Sequence, residues 1–252
     1  MAVTARPTGT PESPRRGPRR PAQKRGAATQ EEVILGAARI FSTVGYAAAS
    51  LSMISADSGV SQGSLYFHFR SKEDIARAVI SEQHHRSFAL VAREIEANGD
   101  PVAQLITVSR LLVDQLVDDV VVRAGFRLGM DESALEDVAA DFYGQWAEGT
   151  ALMLQRAVDM GRVQTELPVA DLARLLVGFF TGTQAMSRAT NSHGDLAVRV
   201  AEMWHLIVRG IVPMEQQSDV LQIVEREFRS AKSTCADEVS EPHEVPPLPA
   251  CD

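Results

Sequence analysis

Only two of the 252 residues are cysteines, Cys235 and Cys251, and both sit in a polar C-terminal tail with no histidine at metal-ligand spacing. A disulfide scaffold and a structural zinc site are therefore excluded, and a reducing, cytoplasmic setting is expected. No stretch approaches the ~18 uninterrupted apolar residues that a bilayer span needs, which excludes an integral membrane protein. Alternating strand patterns with hairpin turns are missing as well. His84, His85 and His205 have no Ser or Cys nucleophile motif beside them, so the sequence supports neither an enzyme nor a cofactor or metal. The first 28 residues hold one acidic side chain, and they have almost no large apolar residues with which to repay ordering.

That local shortage of acid is one end of a gradient. The formal charge of −8 is made of about +6 over residues 1–28, zero over 29–72 and about −14 beyond. A basic arm, a neutral module and an acidic body follow one another, and only the arm is drawn to a polyanion by charge alone. The arm's prolines argue against an amphipathic transit peptide. It is expected to be mobile and to add phosphate or minor-groove contacts. An acidic, proline-rich tail closes the chain over residues 232–252.

Between the tails, apolar spacing is helical almost throughout, which predicts an all-α fold of nine or ten helices. Thr29 with Glu32 reads as a capping box for a first helix whose face is Val33, Ala37, Ile40 and Phe41 and which stops near Gly45. Short helices follow over Leu51 to Ala56 and Ser61 to Phe67. A long helix runs from Ser71 to about Ala97, and Asp100-Pro101 opens a fifth. The region from Gly125 to Asp131 reads as an interruption. Helices then span about Ala134 to Met160, the stretch after Pro168, and the stretch after Asp195.

The segment Leu51 to Phe69, LSMISADSGVSQGSLYFHF, carries the chemistry. A short helix, a corner containing Gly59 and a second short helix make a helix-turn-helix, with Ile54, Val60 and Leu65 turned inward to set the angle. The outward end of the second helix presents Ser61, Gln62, Gly63 and Ser64. Gln pairs with adenine, Ser suits several bases, and Gly permits close approach to a major groove. Tyr66, His68 and Lys72 stand where a phosphate backbone would pass. Read without further context, short helices with Ser and Gly are also common connectors.

Residues 33–79 resemble the DNA-binding domain of TetR-family transcriptional regulators: ILGAARIFSTVGY, then the block above, then SKEDIARAV. Ala49-Ser50 departs from the Thr-Ser common there. The resemblance implies an N-terminal three-helix DNA reader (29–72) joined to a larger helical domain (73–231) that binds a small molecule and dimerises. The runs VRAGFRL, FYGQWAEGTALMLQRAVDMG and GFFTGTQAMSRAT resemble, more loosely, the γ-butyrolactone autoregulator receptors of actinomycetes. A repressor that grips inverted-repeat double-stranded DNA as a homodimer, is released by a γ-butyrolactone-type inducer and controls secondary metabolism is thereby implied. An antibiotic, butenolide, furan or other drug-like ligand is the alternative, and a nonspecific architectural DNA binder a further one.

Trp146 stands where those receptors have a ligand-contacting Trp. Phe142 and Tyr143 lie near it, Phe126 is expected to wall the cavity, and Thr181, Thr183 and Gln184 are polar candidates on a helix otherwise apolar. Trp204 is expected in the core of a dimer interface, because the last helices have apolar faces too wide for one contact.

Overall fold

The computed structural model describes residues 20–96, 99–131 and 136–229. The C-terminal tail and most of the basic arm, residues 1–19, lie outside the described residues. Those described form ten helices and no strand. In order they are α1 (Arg20–Ala48), α2 (Leu51–Ser58), α3 (Gln62–His68), α4 (Lys72–Glu96), α5 (Pro101–Asp118), α6 (Val120–Asp131), α7 (Glu136–Asp159), α8 (Val169–Asn191), α9 (Leu196–Ile211) and α10 (Met214–Glu227).

Local chemistry accounts for most of these boundaries. Ser50 caps α2 by accepting from the Met53 amide, Ser61 caps α3 by accepting from Ser64, and Asp100 caps α5 by accepting from Val102, with Pro101 in the first turn. Gly59 ends α2 in the left-handed region, with φ of 70°, and Gly161 plays that part after α7.

Two expectations are corrected. The first helix starts at Arg20 rather than at the Thr29 box, so the last nine residues of the supposed mobile arm are helical. Pro21 falls in the first turn, where its missing N–H costs nothing, and the Ala, Gln, Lys and Arg that follow propagate a helix readily. The anticipated break from Gly125 to Asp131 is continuous helix. Gly125 serves close packing there: a Cβ on it would lie 2.5 Å from the Cβ of Gln83 on α4.

Two apolar cores result. Val33, Ala37 and Phe41 of α1, Ile54 of α2, Leu65 of α3 and Ile75 and Val79 of α4 build the first. The second fills the larger C-terminal part with residues of α5 to α10. Helix α6 belongs to both. Val121, Ala124 and Leu128 enter the first core, while Val122 and Phe126 enter the second. The spacings of three, four and seven residues put the first set on one side of the helix.

Because α6 touches α4 without a side chain at position 125, Gly125→Ala is expected to destabilise the protein by about 1–3 kcal/mol through overpacking, despite the roughly 1 kcal/mol that Ala gains in helix propensity. Urea unfolding monitored by circular dichroism measures it. An unchanged midpoint would show that Gln83 yields at no cost.

Candidate functional site

The sequence pattern brings two groups of residues together at opposite parts of the molecule. The first is the tip formed by α1 to α3. Its corner is held rigidly: Ser55 Oγ donates to the Val60 carbonyl at 2.6 Å, and the Val60 amide donates to Ser58 Oγ at 3.3 Å. Ile54, Val60 and Leu65 are buried, as their spacing predicts. Gly36 lets α1 approach the backbone of Ser58 within 2.9 Å of an added Cβ, and Arg39 Nε donates to Asp57 at 2.6 Å beside it. The second helix of the pair is thus fixed against α1 and α2.

On α3 the expected reading residues are outward. Ser61, Gln62 and Gly63 are exposed, Ser64 is half-buried, and no atom lies within 4 Å of a Cβ built on Gly63. Tyr66 is 54% exposed and Phe67 is 85% exposed. Phe67 is not among the residues that the sequence singles out, although with Tyr66 it leaves two rings bare at one end of α3. His68 is half-buried, edge-on to Phe67 with ring centroids 5.3 Å apart, and faces Gly26 in the unexpected part of α1.

Lys72 is engaged within the protein. Its ammonium donates to the carbonyls of Tyr46 at 2.8 Å and Ala49 at 2.9 Å, reaches that of Ala47 at 3.5 Å, and lies 4.3 Å above the Tyr46 ring. An ammonium has three donors and no more. The side chain ties the start of α4 to the turn of residues 46–49, which follows the non-helical Gly45 near the end of α1.

The second group surrounds a cavity in the C-terminal core. It holds about 590 Å³ of atom-free space, part of it open to solvent. Phe126, Phe142, Tyr143, Trp146 and Thr181 line it, as expected from sequence. Leu105, Val108, Leu112, Leu176, Phe180 and Met203 complete an apolar wall, with Ser109 and Thr150 as further polar groups. Ser109 Oγ donates back to the Leu105 carbonyl at 2.8 Å.

Three site expectations are corrected by this geometry. Gln184 is 2% exposed but turned away from the cavity: Nε2 donates to Met130 Sδ at 2.9 Å, and Oε1 lies 3.4 Å from His193 Nε2. Thr183 is outside the lining as well, since it lies off the face of α8 that Val177, Phe180 and Thr181 share. Trp204 is inside a single protomer, 2% exposed and against the cavity, instead of at an interface. Neither indole N–H, of Trp146 or of Trp204, has an acceptor among the described residues. The apolar pattern of α9 marks Trp204 as buried but does not say against what.

Beyond the cavity, an aromatic zipper leads to α4. His84 stacks on Phe142 at 4.5 Å, and Phe88 stacks on Trp146 at 4.9 Å. His84 and Phe88 are four apart on α4, and so are Phe142 and Trp146 on α7, so each pair shares one helix face. Burial pushes the His84 imidazole below its ordinary value, which makes it a neutral ring in this stack near neutral pH.

Comparison with known proteins agrees with this layout. Residues 33–79 match the profile of bacterial regulatory proteins of the tetR family, and residues 102–213 match the tetracyclin repressor-like C-terminal domain. The A-factor receptor protein of Streptomyces griseus is 33% identical over 189 residues, covering 75% of this chain and 66% of that protein. CprB from Streptomyces coelicolor, solved in complex with its operator sequence, superimposes with a TM-score of 0.72 at 30% identity, over 81% of this chain and 98% of the other. A gamma-butyrolactone receptor described as ArpA-like superimposes at 0.68 with 28% identity, over 82% and 100%.

The placement of Lys72 generates a test. Lys72→Met is expected to lower stability by about 1–3 kcal/mol by leaving the α1 carbonyls without their cation. Thermal unfolding reads this directly. An unaltered transition together with weakened DNA binding would return Lys72 to the phosphate backbone.

Proposed function

The chain belongs to the TetR family of transcriptional regulators, is not an enzyme, and is related to γ-butyrolactone receptors; from that premise we propose that it is a dimeric repressor which grips an inverted-repeat operator and lets go when a γ-butyrolactone-type molecule enters the apolar cavity. One observation carries the ligand class. Two buried indole N–H groups without acceptors belong to Trp146 and Trp204, both of which line this largely apolar cavity. A buried donor lacking a partner costs about 1–3 kcal/mol, and a guest with an apolar body and carbonyl or hydroxyl oxygens supplies the partner while burying its own hydrocarbon. A lactone with an alkyl chain has that composition.

On the DNA side, Ser61, Gln62, Gly63 and Ser64 meet base edges while Tyr66 and His68 meet phosphates. One helix of seven residues covers few base pairs, so two copies at fixed spacing supply specificity. The partner surface is built by α8 and α9: Leu175, Phe179 and Met186 on α8 and Leu206 on α9 are exposed large apolar side chains. Their burial against a second copy explains the excess apolar width of these helices.

Release follows from the wiring of the cavity. A guest pressing on Phe142 and Trp146 shifts the rings stacked on His84 and Phe88, and so moves α4; one pressing on Phe126 moves α6. Both helices enter the core of the DNA-binding tip. Taking the operator-competent form from 99% to 1% requires the ligand to prefer the other conformer by about 10⁴-fold, roughly 5.5 kcal/mol. Control of secondary metabolism in the cytoplasm completes the proposal.

Operator shift assays test both halves. Tyr66→Ala is expected to weaken binding to all duplexes alike, whereas Gln62→Ala also relaxes base preference; equal effects would undo the division of roles. Trp146→Ala is expected to keep operator binding and lose release by γ-butyrolactone. Phe88→Ala retains ligand binding, measured by calorimetry, with weaker release. A Phe88→Ala variant released as readily as the wild type would break the link between cavity and α4.

A further inference from the structure

Along its outermost line, α3 carries neither a charge nor a hydrogen-bonding side chain. Leu65 is 0% exposed and anchors the helix on the core of the tip. Gly63 and Phe67 each lie two residues from it, slightly more than half a turn, so both stand on the side turned away from the protein. Exposure follows that geometry: Phe67 is 85% exposed against 54% for Tyr66, one position nearer Leu65. Gln62 and Tyr66, four apart, form a polar lane along the helix, and Gly63 and Phe67, also four apart, form an apolar lane beside it.

These two positions make a notch. In a helix the side chain leans back over the preceding turn, so the Phe67 ring stands toward Gly63. A Cβ built on Gly63 meets no atom within 4 Å, which leaves that flank of the ring clear. The other side is braced. The His68 ring stands edge-on to Phe67, with centroids 5.3 Å apart and planes at 89°, and a Cβ on Gly26 of α1 would lie 3.8 Å from the imidazole. A ring held in place loses less freedom when a partner arrives than a swinging one.

The chemistry of the notch names its guest. The edge groups that base pairs show in the major groove are hydrogen-bond donors and acceptors, with one apolar exception, the C5-methyl of thymine. A phenyl ring set against a donor or acceptor strips water from it and returns no bond, whereas a methyl gains by leaving water. Given the proposed placement of α3 in the major groove, on which this rests, we propose that Phe67, with the clearance over Gly63, takes the C5-methyl of one thymine in each operator half-site and so specifies thymine there. Phe67 thereby adds an apolar reader to the hydrogen-bonding lane of Gln62.

The test uses the full-length protein and a palindromic duplex that it selects from a random-sequence pool. Each thymine of that duplex is then replaced, symmetrically in both half-sites, by deoxyuridine, which removes the methyl and leaves every hydrogen-bonding edge as it was. In the wild type one such exchange is expected to weaken binding about fourfold per half-site, or roughly fifteenfold for the pair, the yield of burying one methyl. Phe67→Ala is expected to bind more weakly and to be indifferent to that exchange, and Phe67→Leu to keep part of the penalty. With the ring exposed, the helical circular dichroism of both variants stays that of the wild type. A palindrome without thymine, a wild type indifferent to every exchange, or a penalty undiminished in Phe67→Ala would overturn the proposal. The last, with equal weakening on all duplexes, would put the ring on the sugar-phosphate backbone instead. A pool that yields no preferred duplex would defeat the repressor reading as well, whereas a preferred duplex bound without regard to methyls defeats this assignment alone.

Discussion

Helix α6 is packed into both apolar cores of the molecule, and the arrangement of the rest depends on it. Its Val121, Ala124 and Leu128 are part of the core that stabilises the helix-turn-helix, and its Val122 and Phe126 are part of the core that holds the cavity. Close-packed interiors are nearly incompressible, so a helix wedged into two of them cannot shift in one without repacking the other. Gly125 brings it against Gln83 of α4, so that α4 and α6 respond as one layer. Under the proposed function, this contact would carry the effect of a guest in the C-terminal domain to the tip.

The reading tip was largely legible in the sequence because its elements are short and each is punctuated by its own chemistry. Ser50, Gly59 and Ser61 state where α2 begins and ends and where α3 begins, and Ile54, Val60 and Leu65 are the buried apolar side chains of this segment from α2 to α3. Local rules suffice where the structure is local. The start of α1 was not legible for the complementary reason. A capping box at Thr29 is a permitted beginning, yet nothing in the residues before it stops a helix, and Gly26 finds a neighbour in His68 only after folding.

The cavity was legible in part. Aromatic residues at helical spacing mark a buried face, and resemblance pointed to Trp146, but a periodic pattern cannot tell which of several burying surfaces a residue meets. Trp204 satisfies the pattern of an interface as well as that of a cavity wall; only the crossing of α9 over α5 and α8 decides. Gln184 was misplaced on the same grounds. A polar group on an apolar face must find partners, and of the two it found, Met130 and His193, the second comes from a turn with two left-handed residues that no periodicity announces. Lys72 shows the limit for charge: a cation near a nucleic-acid motif reads as a phosphate contact until the end of another helix is seen beneath it.

The pair of unsatisfied indoles has a further consequence for selectivity. Shape alone discriminates weakly among greasy molecules, since one methylene more or less changes affinity by a small factor. Donors that stay unquenched inside a hydrophobic wall penalise a bare hydrocarbon of the correct size and reward a ligand with oxygens placed to reach both rings. Under the proposed function, Trp146 and Trp204 would act as a two-point gauge, ranking rival guests by the distance between their acceptors.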